Sequence, residues 1–164
     1  MKTKTVATFG LLIALCLVLS YIESLVPAFF AVPGIKLGLT NLVVLTALYK
    51  LGPKSSFIIN LIRILLVGLT FGNGASLIYS LSGGMLSTFA MIGLKKTNRF
   101  ALVTVSITGA ITHNVGQILA AMVLMATPAI GYYLAILWFT GLLTGSVIGI
   151  IGKEVVRRLP DFEI

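Results

Sequence analysis

Carboxylates are almost missing from this chain. Its 164 residues hold four, Glu23, Glu154, Asp161 and Glu163, and the last three sit close to the C-terminus. General acid–base pairs and carboxylate-held metal ions need two or more acids brought together at depth, and only Glu23 lies away from the tail. The single cysteine, Cys16, excludes an intramolecular disulfide and a cysteine-based zinc site. The single histidine, His113, has no carboxylate in its own segment to orient it as a base, and one histidine cannot supply bis-His haem ligation. There is no Walker loop, no flavin-attachment motif, and none of the Asp-rich sequence that Mg²⁺-assisted diphosphate chemistry requires. The chain therefore reads as a non-enzyme with no catalytic residue, no metal site and no cofactor of its own.

Apolar residues are abundant. They make up 58% of the chain against 10% charged, and mean hydropathy is +1.10. That leaves too few polar side chains to cover a soluble globule. Six apolar runs lie near 6–24, 38–50, 55–72, 75–94, 100–126 and 129–152. A hydrocarbon core ~30 Å thick takes about 20 helical residues, and most of these runs reach that length. Of the 12 Lys and Arg residues, Lys2, Lys4, Lys50, Lys54, Lys95, Lys96, Arg99, Lys153, Arg157 and Arg158 fall on one side of the implied membrane. Lys36 falls in an outer connection and Arg63 within a span. Positive loops stay in the cytoplasm, so the expected architecture is an all-α integral membrane bundle of six transmembrane helices with both termini cytoplasmic. It is expected to form one domain over 1–164 in a cell membrane, the bacterial cytoplasmic membrane being the natural setting. The net charge of +8 is explained by these loops meeting anionic lipid, and no nucleic-acid partner is expected. The first run follows Lys2 and Lys4 as a signal peptide would, but Glu23 and Pro27 come after it without a small-residue cleavage site, so it reads as a retained helix. From Ser24 to Leu37 the chain carries Pro27, Pro33 and Gly34, which argue for a re-entrant loop or a lid rather than a helix.

Polar residues placed in the membrane despite their cost carry the functional signal. Arg63 lies near the middle of the third run, where an arginine costs about 2.5 to 3.5 kcal/mol. Asn60, three residues earlier, shares its helical face. In the fifth run His113 and Gln117 share a face, with Asn114 beside them. Together with Asn41, Lys36 and the Tyr79 hydroxyl, these residues form the expected substrate-binding chamber, and Ser80 is a further hydroxyl on the same helix as Tyr79. The surplus of Lys36 and Arg63 over Glu23 points to a small ligand bearing phosphate or carboxylate. A competing reading pairs Arg63 structurally with Glu23.

Small residues mark expected helix contacts. Gly141, Gly145 and Gly149 repeat every four positions, which lets another backbone approach closely. Ser80, Gly83, Gly84 and Ser87 form a comparable stripe in the fourth run. Ala7, Gly10 and Ala14 form one in the first.

The segments Pro33-Gly34-Ile35-Lys36-Leu37-Gly38-Leu39-Thr40-Asn41, Arg63-Ile64-Leu65-Leu66 leading to Phe71-Gly72, and His113-Asn114-Val115-Gly116-Gln117 resemble the Gx transporter family. Its members often carry the label heptaprenyl diphosphate synthase component I. The resemblance runs in order over essentially the whole chain. It implies the fold of the substrate-binding S components of energy-coupling factor (ECF) transporters, with a ligand held near the outer side under the loop between helices 1 and 2. It also implies docking through Ala7, Gly10 and Ala14 onto a transmembrane coupling protein powered by two ATPases. The leading functional reading is thus uptake of a small anionic vitamin, cofactor precursor or isoprenoid-type compound. The alternative is a non-catalytic membrane accessory subunit of isoprenoid or quinone metabolism, or of flavin-based extracellular electron transfer.

Overall fold

The computed structural model describes residues 3–25, 38–70 and 72–160. The expected loop residues Pro27, Pro33, Gly34 and Lys36 lie outside them, as do Lys2, Asp161 and Glu163. The described residues form six α-helices and no strand: α1 (Thr3–Leu25), α2 (Leu39–Lys50), α3 (Pro53–Thr70), α4 (Gly74–Thr97), α5 (Leu102–Leu124) and α6 (Tyr133–Arg158), the last entered through a 3-10 turn at Pro128–Tyr132. Each helix falls on one of the six apolar runs.

Five of these helices are long and apolar enough to cross a membrane. The sixth, α2, is not. Its 12 residues rise only about 18 Å at 1.5 Å per residue, so of the six expected spans five have spanning length and the sixth falls on a short helix. Its ends are fixed locally by two glycines. Gly38 precedes the first turn at φ +77°, and Gly52 follows the last at φ +90°, conformations that cost a residue with a Cβ and not glycine. The Leu51 and Gly52 amides both return to the Ala47 carbonyl. Pro53 then opens α3, at a position where its missing N–H is no loss.

Consecutive helices run antiparallel. The Leu39 amide at the start of α2 donates to Glu23 near the end of α1. Lys95 near the end of α4 donates through Nζ to the Leu48 carbonyl near the end of α2, and lies 5.0 Å from the Tyr49 ring centroid. The ends of α2, α4 and α6 and the start of α3 therefore gather Lys50, Lys54, Lys95, Lys96, Lys153, Arg157 and Arg158 at one end of the bundle, the basic end. α1 joins them there with Lys4, because Cys16 packs at the level of Val43 and Ala47.

The interior of the basic half is α2 itself. Every residue from Val43 to Leu48 is buried. Val44, Leu45 and Leu48 meet Met91 of α4 and Val105 of α5, while Val43 and Ala47 meet Cys16 of α1 and Ile59 of α3. On the far side, α4, α5 and α6 touch almost backbone to backbone. A Cβ built on Gly145 would come within 2.7 Å of Ile107 Cα, one on Gly149 within 2.8 Å of Val103 Cα, and one on Gly141 within 3.0 Å of Asn114 Nδ2. In lipid, where no hydrophobic force drives helices together, such close approach supplies the attraction. The α1 stripe is placed differently: Ala7, Gly10 and Ala14 are exposed, and a Cβ on Gly10 would meet nothing within 4 Å.

Candidate functional site

α2 begins at Leu39, so among the described residues it fills the centre of the basic half of the bundle and does not extend through the other half. A cavity of about 260 Å³ lies in that other half. α1 contributes Ser20, Glu23 and Ser24; α2 contributes Gly38, Thr40 and Asn41; α3 contributes Arg63, Ile64, Val67 and Gly68. Ser76 and Ser80 come from α4, Ala110, His113, Asn114 and Gln117 from α5, and Thr144, Gly145 and Ile148 from α6. The volume lies just below the ~300 to 1,000 Å³ typical of drug-sized ligand pockets.

Arg63 is held from two sides. Its Nη1 donates to Thr40 Oγ1 at 2.9 Å. Its Nε and Nη2 both donate to Asn60 Oδ1, at 3.1 and 2.7 Å. Asn60 is 2% exposed and in turn donates to the Gly84 carbonyl at 3.1 Å and to Thr88 Oγ1 at 2.7 Å. The chain Thr40–Arg63–Asn60–Thr88 thus ties α2, α3 and α4 together and fixes the guanidinium at the cavity wall. Asn60 is not among the lining residues. It stands behind Arg63 and positions it.

His113 and Gln117 reach the cavity because α4 and α5 meet at glycines. A Cβ on Gly83 would lie 2.6 Å from the His113 carbonyl, and one on Gly116 would lie 2.7 Å from the Ser82 carbonyl. Asn114 lines the cavity and also donates Nδ2 to the Leu137 carbonyl of α6 at 2.6 Å, so part of its hydrogen-bonding capacity is structural. Ser76 is set by a capping box with Asn73, in which Asn73 Oδ1 accepts from the Ser76 amide and Ser76 Oγ accepts from the Asn73 amide, each at 2.8 Å.

Of the expected chamber residues, the structure brings together Arg63, His113, Asn114, Gln117 and Asn41 on the wall, with Asn60 behind. Tyr79 is half-buried and does not line the cavity; its neighbour Ser80 does. Lys36 lies outside the described residues. Sequence reasoning missed Thr40, Ser20, Ser24, Ser76 and Thr144, and treated Glu23 only as a partner for Arg63. A signal existed for α1, since Ser20, Glu23 and Ser24 stand three and four apart on one helical face. Among the described residues, the ion pairs within 4 Å are those of Glu154 with Arg157 and Arg158. Arg63 and Glu23 share the chamber without pairing directly. No group of three or more His, Cys, Asp or Glu suited to a metal ion occurs among the described residues.

A protein-family model described as heptaprenyl diphosphate synthase component I matches residues 12–155. The chain belongs to that family. Every lining residue of the cavity falls inside the matched region. No curated protein and no solved structure matches the chain.

Proposed function

We propose that this family member is a substrate-binding membrane subunit, similar to the S component of an ECF transporter, that takes up a small compound bearing a carboxylate or phosphate. The observation that carries the reading is Arg63: a guanidinium at the wall of a polar cavity, deep in a spanning helix, held by neutral partners. The start of α2 adds to the attraction, since helix N-termini carry a partial positive charge and Gly38, Thr40 and Asn41 all line the cavity. The exposed Ala7, Gly10 and Ala14 on α1 support a docking surface for a coupling protein with its ATPases. α2 counts as the sixth crossing in this reading, which returns both termini to the cytoplasm of a bacterial cell membrane. The ligand is a vitamin-sized compound or cofactor precursor. A heptaprenyl chain, with its seven isoprene units, exceeds 260 Å³ and would not be enclosed whole.

A second reading is favoured by the family's name alone: a non-catalytic accessory subunit that works beside a second synthase component, or beside quinone or flavin-based electron-transfer machinery. Co-purification separates the two. Recovery of ATPases with a small-helix coupling protein supports uptake, whereas recovery of a prenyl synthase or a redox protein supports the accessory role. The direct test of the leading reading is native mass spectrometry of the full chain released from membranes. A small retained mass that disappears in Arg63→Gln supports it, and identical spectra for both proteins reject it. Topology is tested by single cysteines in intact cells, with the native Cys16 buried. Positions near Gly74 and Thr127 should label from outside and those near Lys54 and Lys96 should not.

A further inference from the structure

The chamber holds a carboxylate as well as a guanidinium, and the two are kept apart. Glu23 Oε1 accepts from the Leu39 amide at 2.9 Å, and the next residue, Thr40, accepts from Arg63 Nη1 at 2.9 Å. The first turn of α2 therefore stands between the opposite charges and holds one on each side. Had Glu23 served as the counter-ion of Arg63, direct contact would have offset the desolvation of both. Instead both side chains line one cavity, and among the described residues neither has an ion-pair partner within 4 Å. A half-buried carboxylate accepts several hydrogen bonds, and the Leu39 amide supplies one.

We infer that the ligand is a compact ampholyte, with an anionic carboxylate or phosphate group at Arg63 and an amine or protonated amino-heterocycle at Glu23. This rests on the reading of the chamber as a ligand site and adds Glu23 to it as a specificity residue. The remaining wall agrees, because Asn41, Asn114, Gln117 and His113 offer both donors and acceptors between the two poles. A ligand of this kind supplies a counter-charge to each pole at once. A simple anion leaves Glu23 facing like charge, and a simple amine leaves Arg63 doing so.

The test uses the full chain in detergent and probes that differ only in their poles: 4-(aminomethyl)benzoate against 4-methylbenzoate and 4-methylbenzylamine, and phosphoethanolamine against ethyl phosphate and ethanolamine. Affinities are read from thermal-shift titrations. In the wild-type protein at least one ampholyte should bind about tenfold or more tighter than its anion-only counterpart, the scale of one hydrogen bond to a charged group. Glu23→Gln keeps an acceptor for the Leu39 amide and should erase that advantage while leaving the anion-only affinity in place. Arg63→Gln should weaken ampholyte and anion alike. Equal binding of ampholyte and anion, or an advantage that persists in Glu23→Gln, would overturn the ampholyte assignment and leave the anion site standing. Anion-only binding that is indifferent to Arg63→Gln overturns the site reading itself, and no binding by any of the six probes overturns both.

Discussion

The two halves of this bundle are enclosed by the same long helices and have opposite interiors. In the basic half α2 fills the centre, and Val44, Leu45, Ala47 and Leu48 are wholly buried among apolar neighbours. In the other half the described residues wall a cavity with Arg63, Glu23, His113 and amide and hydroxyl groups. One half is closely packed and the other holds a polar cavity. Among the described residues the difference follows α2, whose first helical residue is Leu39.

Stability and binding are therefore expected to separate by position along the bundle. The largest loss of stability is expected from Leu48→Ala in the filled half. Removing a wholly buried leucine costs about 2 to 5 kcal/mol, visible as a lowered midpoint in thermal unfolding in detergent, while the folded fraction still retains ligand. Arg63→Gln should do the reverse. Affinity falls about tenfold to a hundredfold with the loss of a charge-assisted contact, and the melting midpoint stays near that of the wild type because a costly buried charge has gone. Asn60→Ala tests the boundary between the halves. It removes the acceptor for Arg63 Nε and Nη2 and the bonds to Gly84 and Thr88, so it should lower stability by about 1 to 3 kcal/mol and affinity with it. A stable Asn60→Ala protein with normal affinity would show that Arg63 needs no positioning. The smallest effect is expected from Gly10→Leu on the outside of both halves. With open space around Gly10, stability should change by less than about 0.5 kcal/mol and ligand retention not at all, while recovery of a coupling partner drops.

The long helices were legible in the sequence because hydropathy and length report what lipid demands of a backbone. Arg63, Asn41, His113, Asn114 and Gln117, which line one cavity, drew notice for a related reason, since each is a polar residue in an apolar run. What each residue does there was not legible. Asn60 and Arg63 share a face, yet only the packing of α3 on α4 turns Asn60 toward Gly84 and Thr88 and leaves it behind the wall. Tyr79 and Ser80 are neighbours in sequence, and the rotation of α4 decides which of them reaches the cavity. Ser20, Ser24 and Thr40 escaped notice because serine and threonine in membrane helices commonly bond their own backbone, as Thr70 and Thr108 do here. The shortness of α2 was visible in its run, but the charge pattern alone counts it as a crossing.

The start of α2 has a further consequence, in how the chamber would respond to its medium. Its far end is anchored by Lys95 on the Leu48 carbonyl, which keeps its dipole fixed in place. Its near end lies at the level of Ile148 in α6, beside the buried Thr40. Mobile ions shield exposed charges over about 8 to 10 Å in ordinary buffers, and buried charges much less. Attraction at this site should therefore persist as ionic strength rises, whereas lipid contacts of the basic end should weaken under the same salt.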